Sequence, residues 1–340
     1  MDVNTDLAMW SNQLIVSAMI VYAIAMIAYA FDLFGGQELK ASETAGGEAK
    51  PLSVRRTNRR TATAVLDAPV AAADAAAGSG TGSGRRDGER RVRRAARIGT
   101  SLLVLASLLH VAAVLTRALS VMRVPWGNMM EYILTATAIT VVVYLVVLTR
   151  KDVRYLGTFV AGGVLLCLGL SITVFYTPAA QLIPALQSYW IAIHVPIAIL
   201  STALLYISAI LAVFQILKAR FEDRAPKWLR FTRRLPASDD IERVSYTIAA
   251  VGFITWTFTL IAGAIWAEVA WSRYWGWDSK EIWTFVVWVV YAAYLHARAT
   301  RGWGPTKVAV LNLIGIASVI FNFTVVNVYF NGLHSYSGLE

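Results

Sequence analysis

Six of the chain's 12 tryptophans, Trp266, Trp271, Trp275, Trp277, Trp283 and Trp288, fall between positions 266 and 288. The segment reads Trp-Ala-Glu-Val-Ala-Trp-Ser-Arg-Tyr-Trp-Gly-Trp-Asp-Ser-Lys-Glu-Ile-Trp-Thr-Phe-Val-Val-Trp. An aromatic belt at a membrane interface accounts for a few such residues at each helix end. It does not account for this density around one loop, with Gly276 between Trp275 and Trp277. A shelf of this kind suits a large, flat, apolar ligand with a polar edge.

Only 4 histidines accompany the shelf. His194 lies near one end of the fifth apolar stretch and His334 just beyond the eighth, where both can face the tryptophans. Two neutral imidazoles beside an aromatic shelf suggest axial ligation of a haem iron. Zinc is the rival reading. It usually takes three or four protein ligands, and carboxylates could complete the set, but it leaves the tryptophans without a role. His296 lies about 21 Å into its helix and His110 about 18 Å into its own, at 1.5 Å per residue. A lone membrane histidine is costly, and it either serves function or is held by an interhelical hydrogen bond. Asp278 and Glu281 read as a capping box at the start of one span, and Asn128 and Glu131 as its counterpart at another.

These residues must be positioned by a membrane protein. The 340-residue chain is 57% hydrophobic and only 15% charged, against about 25% charged in an ordinary soluble domain. Its mean hydropathy is +0.56. A soluble enzyme is excluded, and so is disorder except locally. Eight stretches are long enough to span a bilayer: 12–34, 98–119, 128–149, 155–175, 190–217, 244–266, 282–298 and 306–330. The first exceeds a signal-peptide core and is preceded by Asp2 and Asp6, so it reads as an uncleaved span. Of the 31 basic residues, 27 fall in alternate connections, and Arg117 lies inside a span. Basic loops stay cytoplasmic, which places both termini and the Trp-rich loop outside. The net charge of +10 is then a topology signal, and no nucleic-acid partner is expected. The single cysteine, Cys167, allows no disulfide, no Cys-x-x-Cys pair and no cysteine zinc site.

The expected architecture is all-α, a polytopic bundle of about eight membrane helices. Residues 1–34 hold the first span. Residues 35–97, with a Gly-Ser-Gly-Thr-Gly-Ser-Gly run and the basic cluster Arg85 to Arg97, read as a disordered cytoplasmic loop. A partner-binding or anionic-lipid role is the alternative for that loop. Residues 98–340 form a seven-helix membrane domain with its Trp-rich loop at 266–283.

Trp-Gly-Trp-Asp-Ser-Lys-Glu at 275–281, within Gly263-Ala-Ile-Trp-Ala-Glu-Val-Ala-Trp-Ser-Arg-Tyr-Trp275, resembles the signature of the CcsA/ResC proteins. These are haem-handling membrane proteins of system II cytochrome c biogenesis, named CcsB in actinobacteria. Pro184-Ala-Leu-Gln-Ser-Tyr-Trp-Ile-Ala-Ile-His194, Tyr294-Leu-His-Ala-Arg298 and Gly332-Leu-His-Ser-Tyr336 also match, and Pro125-Trp-Gly-Asn-Met-Met-Glu131 and the opening span match more weakly. The resemblance covers nearly the whole chain except 35–97. It implies that haem b, as substrate, is carried from the cytoplasmic side to the outer face of the plasma membrane. It further implies that His194 and His334 ligate the iron against Trp266, Trp271, Trp275, Trp277, Asp278 and Trp283. His296 would ligate haem in transit, with its second ligand from a ResB-type partner. Apocytochrome c then presents Cys-x-x-Cys-His, whose thiols add to the vinyl groups, and a separate thiol reductant is required. The chain would thus be a subunit of a cytochrome c synthase. The alternatives are a haem transporter or chaperone without synthase activity, and a membrane electron-transfer protein using His110 and His296. The family usually has Pro where this chain has Ser279, the first position of the helix, where Pro is favoured but not required. His110 has no match in the family pattern.

Overall fold

A computed structural model describes residues 3–34, 82–221, 225–330 and 332–334. Eight of its helices are long and apolar enough to cross a membrane. We number them α1 (Thr5–Phe34), α2 (Gly82–Val121), α3 (Met129–Arg150), α4 (Gly157–Thr173), α5 (Ile191–Phe221), α6 (Ser238–Trp271), α7 (Ser279–Ala299) and α8 (Pro305–Phe323). After Thr324 the chain continues in the short α9 (Val325–Tyr329). The all-α expectation holds, and the protein is a multi-pass membrane protein.

The helices outrun the apolar stretches that reveal them. The first begins at Thr5 rather than 12, and α6 begins at Ser238 rather than 244, with Asp239 and Asp240 in its first turn. Acidic residues there complement the helix dipole, so a polar turn extends the helix beyond its apolar centre. Residues 82–97, expected as part of the linker, are the opening turns of α2, a stretch with seven arginines, a good helix former. The remainder of the expected linker, residues 35–81, lies outside the described residues, as does the tail at 335–340.

Two sub-bundles share α5. In the first, α1 lies along α2 and α4, burying Ile15, Ala18, Tyr22, Ala25 and Tyr29 on a single stripe. A Cβ at Gly157 would come within 2.6 Å of the Tyr29 ring, so the close approach of α4 to α1 requires glycine. His110 belongs to this packing. Its Nδ1 lies 3.2 Å from the Tyr22 hydroxyl and its Nε2 2.9 Å from the Leu134 carbonyl. Both nitrogens are engaged, and the side chain ties α1, α2 and α3 together. In the second sub-bundle, α5 to α8 close around Leu205, Trp256, Tyr291 and Tyr294. Ser208, Ser245 and Asn312 join α5, α6 and α8 through buried hydrogen bonds.

The bundle has two chemically different ends. Asn4 N–H donates to the Ser120 carbonyl at 2.8 Å, which puts the start of α1 beside the end of α2. The loop after α2, the start of α3, the Trp-rich segment and His334 share that end. At the other end Arg298 pairs with Glu242 across α6 and α7, near the basic connections after α3, α5 and α7.

Candidate functional site

A cavity opens at the Trp-rich end between α3, α5, α6, α7 and α8, with about 1470 Å³ of free space including its mouth. Its lining is largely apolar and aromatic. Trp126 comes from the loop after α2, Trp256, Trp266 and Trp271 from α6, and Trp275 from the segment before α7. Polar side chains are few: His194, His334, Lys280, Glu281, Asn322 and a handful of others. Such a lining holds a flat apolar body and orients it with scarce polar groups.

The two histidines reach the cavity from opposite parts of the fold. His194 stands in the first turn of α5, and its ring meets Trp266 edge-on at a centroid distance of 5.6 Å. Its Nδ1 lies 3.1 Å from the carbonyl oxygen of Thr259, a group that only accepts. Nδ1 therefore carries the proton, and Nε2 keeps its lone pair. Behind the ring is Gly263, where a Cβ would lie 2.8 Å from Cε1.

His334 is held by the helix cap. Its Nδ1 lies 2.7 Å from Asp278 Oδ2, and its ring meets Trp271 edge-on at 4.7 Å. Asp278 also accepts the N–H groups of Lys280, at 3.3 Å, and Leu333, at 3.1 Å. One carboxylate thus starts α7 and fixes the imidazole. Burial works to raise the Asp278 carboxyl, but the His334 hydrogen bond, the His334 charge and the two backbone N–H groups outweigh it and hold it below the usual carboxylate value. Burial is the largest influence on His334 and lowers it; Asp278 opposes that shift and Lys280 adds to it. A neutral imidazole with Nδ1 donating to a carboxylate is the arrangement that sharpens Nε2 as a metal ligand.

The neighbouring cap on α3 is built differently. Asn128 Oδ1 accepts the Glu131 N–H at 2.9 Å. Glu131 does not return to the cap residue as a capping box would; it accepts the Gly127 N–H at 2.9 Å. The same fully buried carboxylate pairs with Arg117 at 3.3 Å and Arg123 at 2.8 Å. Arg117 then donates to the Thr177 carbonyl at 2.6 Å, pinning the loop after α4 to this end of the bundle. At α7 the expected capping box is complete, with Glu281 Oε2 accepting the Asp278 N–H at 3.1 Å and the Gly276 N–H at 2.8 Å.

Of the residues singled out from sequence, His194, His334, Trp266, Trp271 and Trp275 line one cavity, with Asp278 behind His334. Three do not. Trp277 is 74% exposed and meets Trp275 edge-on, with φ of 60°, a left-handed conformation that is strained for a tryptophan. Trp283 packs on Phe321 at 4.2 Å. His296 is exposed on the outward surface of α7. Sequence reasoning did not select Trp126, Trp256, Tyr132 or Lys280, which do line the cavity. Trp126 stood in the Pro125-Trp-Gly-Asn string, whereas Trp256 lies mid-span with no local signal.

Residues 126–334 match the cytochrome C assembly protein family. The chain is similar to cytochrome c biogenesis protein CcsA of Chlamydomonas reinhardtii, 34% identical over 64% of this chain and 58% of that protein. It is 30% identical to the CcsA of Trieres chinensis, over 64% of this chain and 78% of that one. For the CcsA of Microcystis aeruginosa the figures are 29% identity, 70% and 87%. The match to the Chlamydomonas protein thus spans under two thirds of its length. Among solved structures, a cytochrome c haem lyase, CcmF, shares the fold with a TM-score of 0.61 at 14% identity, over 95% of this chain and 47% of that one.

Proposed function

The chain belongs to the CcsA/ResC family of cytochrome c biogenesis proteins, and from that premise we propose that its cavity receives haem b as substrate, with His194 and His334 as the axial ligands. One observation carries this reading. Two imidazoles from distant parts of the chain line one aromatic cavity, and each has Nδ1 occupied so that Nε2 is the lone-pair nitrogen. The lining also fits the group in its polar detail. The indole N–H groups of Trp126 and Trp266 are buried without a hydrogen-bond partner among the described residues. Buried donors are normally satisfied, and orphans at a cavity wall suit a ligand that accepts.

In this reading the cavity faces outward, because the basic connections cluster at the other end of the bundle. The protein acts at the plasma membrane in a complex with a ResB-type partner. His296, on the outward surface of α7, is the ligand for haem in transit, and a second ligand there has to come from that partner. In the cavity the histidines and tryptophans hold the macrocycle while an apocytochrome c presents Cys-x-x-Cys-His. Each thiol adds across a vinyl double bond, sulfur to one carbon and hydrogen to the other, with no net oxidation. With Cys167 as its only cysteine, the chain needs a separate thiol reductant to deliver that motif reduced.

The test is the purified complex with iron protoporphyrin and a reduced Cys-x-x-Cys-His peptide. A thioether-linked product by mass is the expected result. Haem transfer without thioether formation would favour the alternative, a haem transporter or chaperone.

A further inference from the structure

Among the described residues, Lys280 is the only lysine or arginine on the cavity wall. It sits in the first turn of α7, and its Nζ donates to the backbone carbonyl of Asn322 at 2.8 Å. An ammonium has three donors, and this is the single hydrogen bond seen for it among the described residues. Neither carboxylate nearby takes the others. Asp278 is engaged by His334, Leu333 and the Lys280 backbone N–H. Glu281 Oε2 is occupied by two backbone N–H groups, and its Oε1 has no donor among the described residues, Lys280 included. Adjacent residues on a helix do not face one another, which explains why the two side chains stay apart. Among the described residues the wall therefore presents Lys280 without a hydrogen-bonded carboxylate, in a lining that is mostly apolar and aromatic and that also holds Glu281. A part-buried charge of this kind calls for a counter-ion, and the cavity is where one can enter.

Resting on the haem reading above, we propose that Lys280 is the specificity-determining residue that recognises a carboxylate on the edge of the flat ligand. The ligand class is then a porphyrin carrying free carboxylates, not any aromatic macrocycle of the right size. The lysine sets how the plate is turned about the iron, and so which edge faces the mouth where a thiol approaches. The buried indole N–H groups of Trp126 and Trp266 supply further donors to an acceptor-bearing ligand.

The experiment compares iron protoporphyrin with its dimethyl ester, which has the same ring and iron but no anionic group. Binding is measured on the full-length protein in detergent, together with the ligation spectrum. Wild type is expected to bind the diacid about ten- to a hundredfold more tightly than the ester, the range of a charge-assisted hydrogen bond. Lys280→Met should bind both at the ester level, and Lys280→Arg should recover most of the discrimination. The wild-type comparison involves no substitution, so misfolding of a variant does not obscure it. Equal wild-type affinity for both porphyrins with normal histidine ligation overturns the lysine proposal and leaves the haem reading standing. Discrimination that persists in Lys280→Met also overturns it. Failure of wild type to bind either porphyrin overturns the haem reading and this proposal with it.

Discussion

Two helix starts flank the cavity on nearly the same string, Trp126-Gly127-Asn128-Met129-Met130-Glu131 and Trp275-Gly276-Trp277-Asp278-Ser279-Lys280-Glu281. They differ in what they leave unbonded. At the first, Glu131 is met by two arginines and a backbone N–H, so its carboxylate is fully engaged, and Trp126, Asn128 and Met129 are the side chains this helix start shows to the cavity. At the second, the cap carboxylate is extended to a histidine, Glu281 Oε1 has no donor among the described residues, and Lys280 has no bonded anion. The same local device, a cap with a glutamate three residues on, is saturated in one place and left with surplus hydrogen-bonding capacity in the other. The saturated corner is scaffold, and the unsaturated corner is where chemistry is expected.

Breaking the saturated corner should have the largest effect, and it should be on stability. Glu131→Ala leaves the buried Arg117 and the part-buried Arg123 without a carboxylate, a loss of about 3–5 kcal/mol for a buried ion pair. The expected outcome is a sharp drop in folded yield, with normal haem per folded molecule, measured by size exclusion and absorption together. Breaking the unsaturated corner should do the reverse. Asp278→Asn keeps a good cap residue but removes the charge behind His334. Haem affinity should fall about ten- to a hundredfold, as for a lost partner of a metal-ligating histidine, with little change in yield. A stability loss in Asp278→Asn as large as that in Glu131→Ala would erase the distinction between the corners.

Acid sharpens the same contrast. His334 lies below its ordinary value in the folded protein, so as pH falls the unfolded chain gains the proton first and the native arrangement weakens. Asp278 is also depressed, and its contribution is present above the ordinary carboxylate value and lost as pH falls through its folded value. Both signs point the same way. Ligation should be complete near neutral pH and be lost on acidification, with a midpoint below the ordinary imidazole value of about 6.5, read from an absorption titration. A midpoint above that value would contradict neutral His334. The smallest effect is expected far from both corners: deleting residues 35–81 while retaining several arginines should leave haem binding unchanged, since that segment carries no candidate ligand.

The spans were legible because a run of roughly 20 apolar residues matches the thickness of a bilayer and exceeds what a short core helix needs. The clustering of basic residues in alternate connections is what sets the expected inside–outside order of the ends. The Trp-rich corner was legible because its tryptophans, glycine and cap residues lie together in the chain. What failed to show was the direction each side chain takes. Trp277 and Trp283 are two and eight residues beyond Trp275, yet the left-handed turn at Trp277 sends one outward, and the other packs on α8. His110 and His296 both read as buried membrane histidines. Packing of α2 against α1 and α3 satisfies the first completely, and the second lies on an exposed helix face. Arg117 was visible inside a span, but its partner is set by how α2 and α3 meet, which no local pattern records.

The central claim is that His194 and His334 together ligate one haem iron, and ligation is read most directly from the spectrum. Purified protein loaded with iron protoporphyrin should give a low-spin, bis-imidazole absorption spectrum. His194→Gly and His334→Gly should each abolish it, and added imidazole should restore it by filling the vacated axial position. A wild-type spectrum retained by either glycine variant would contradict the account.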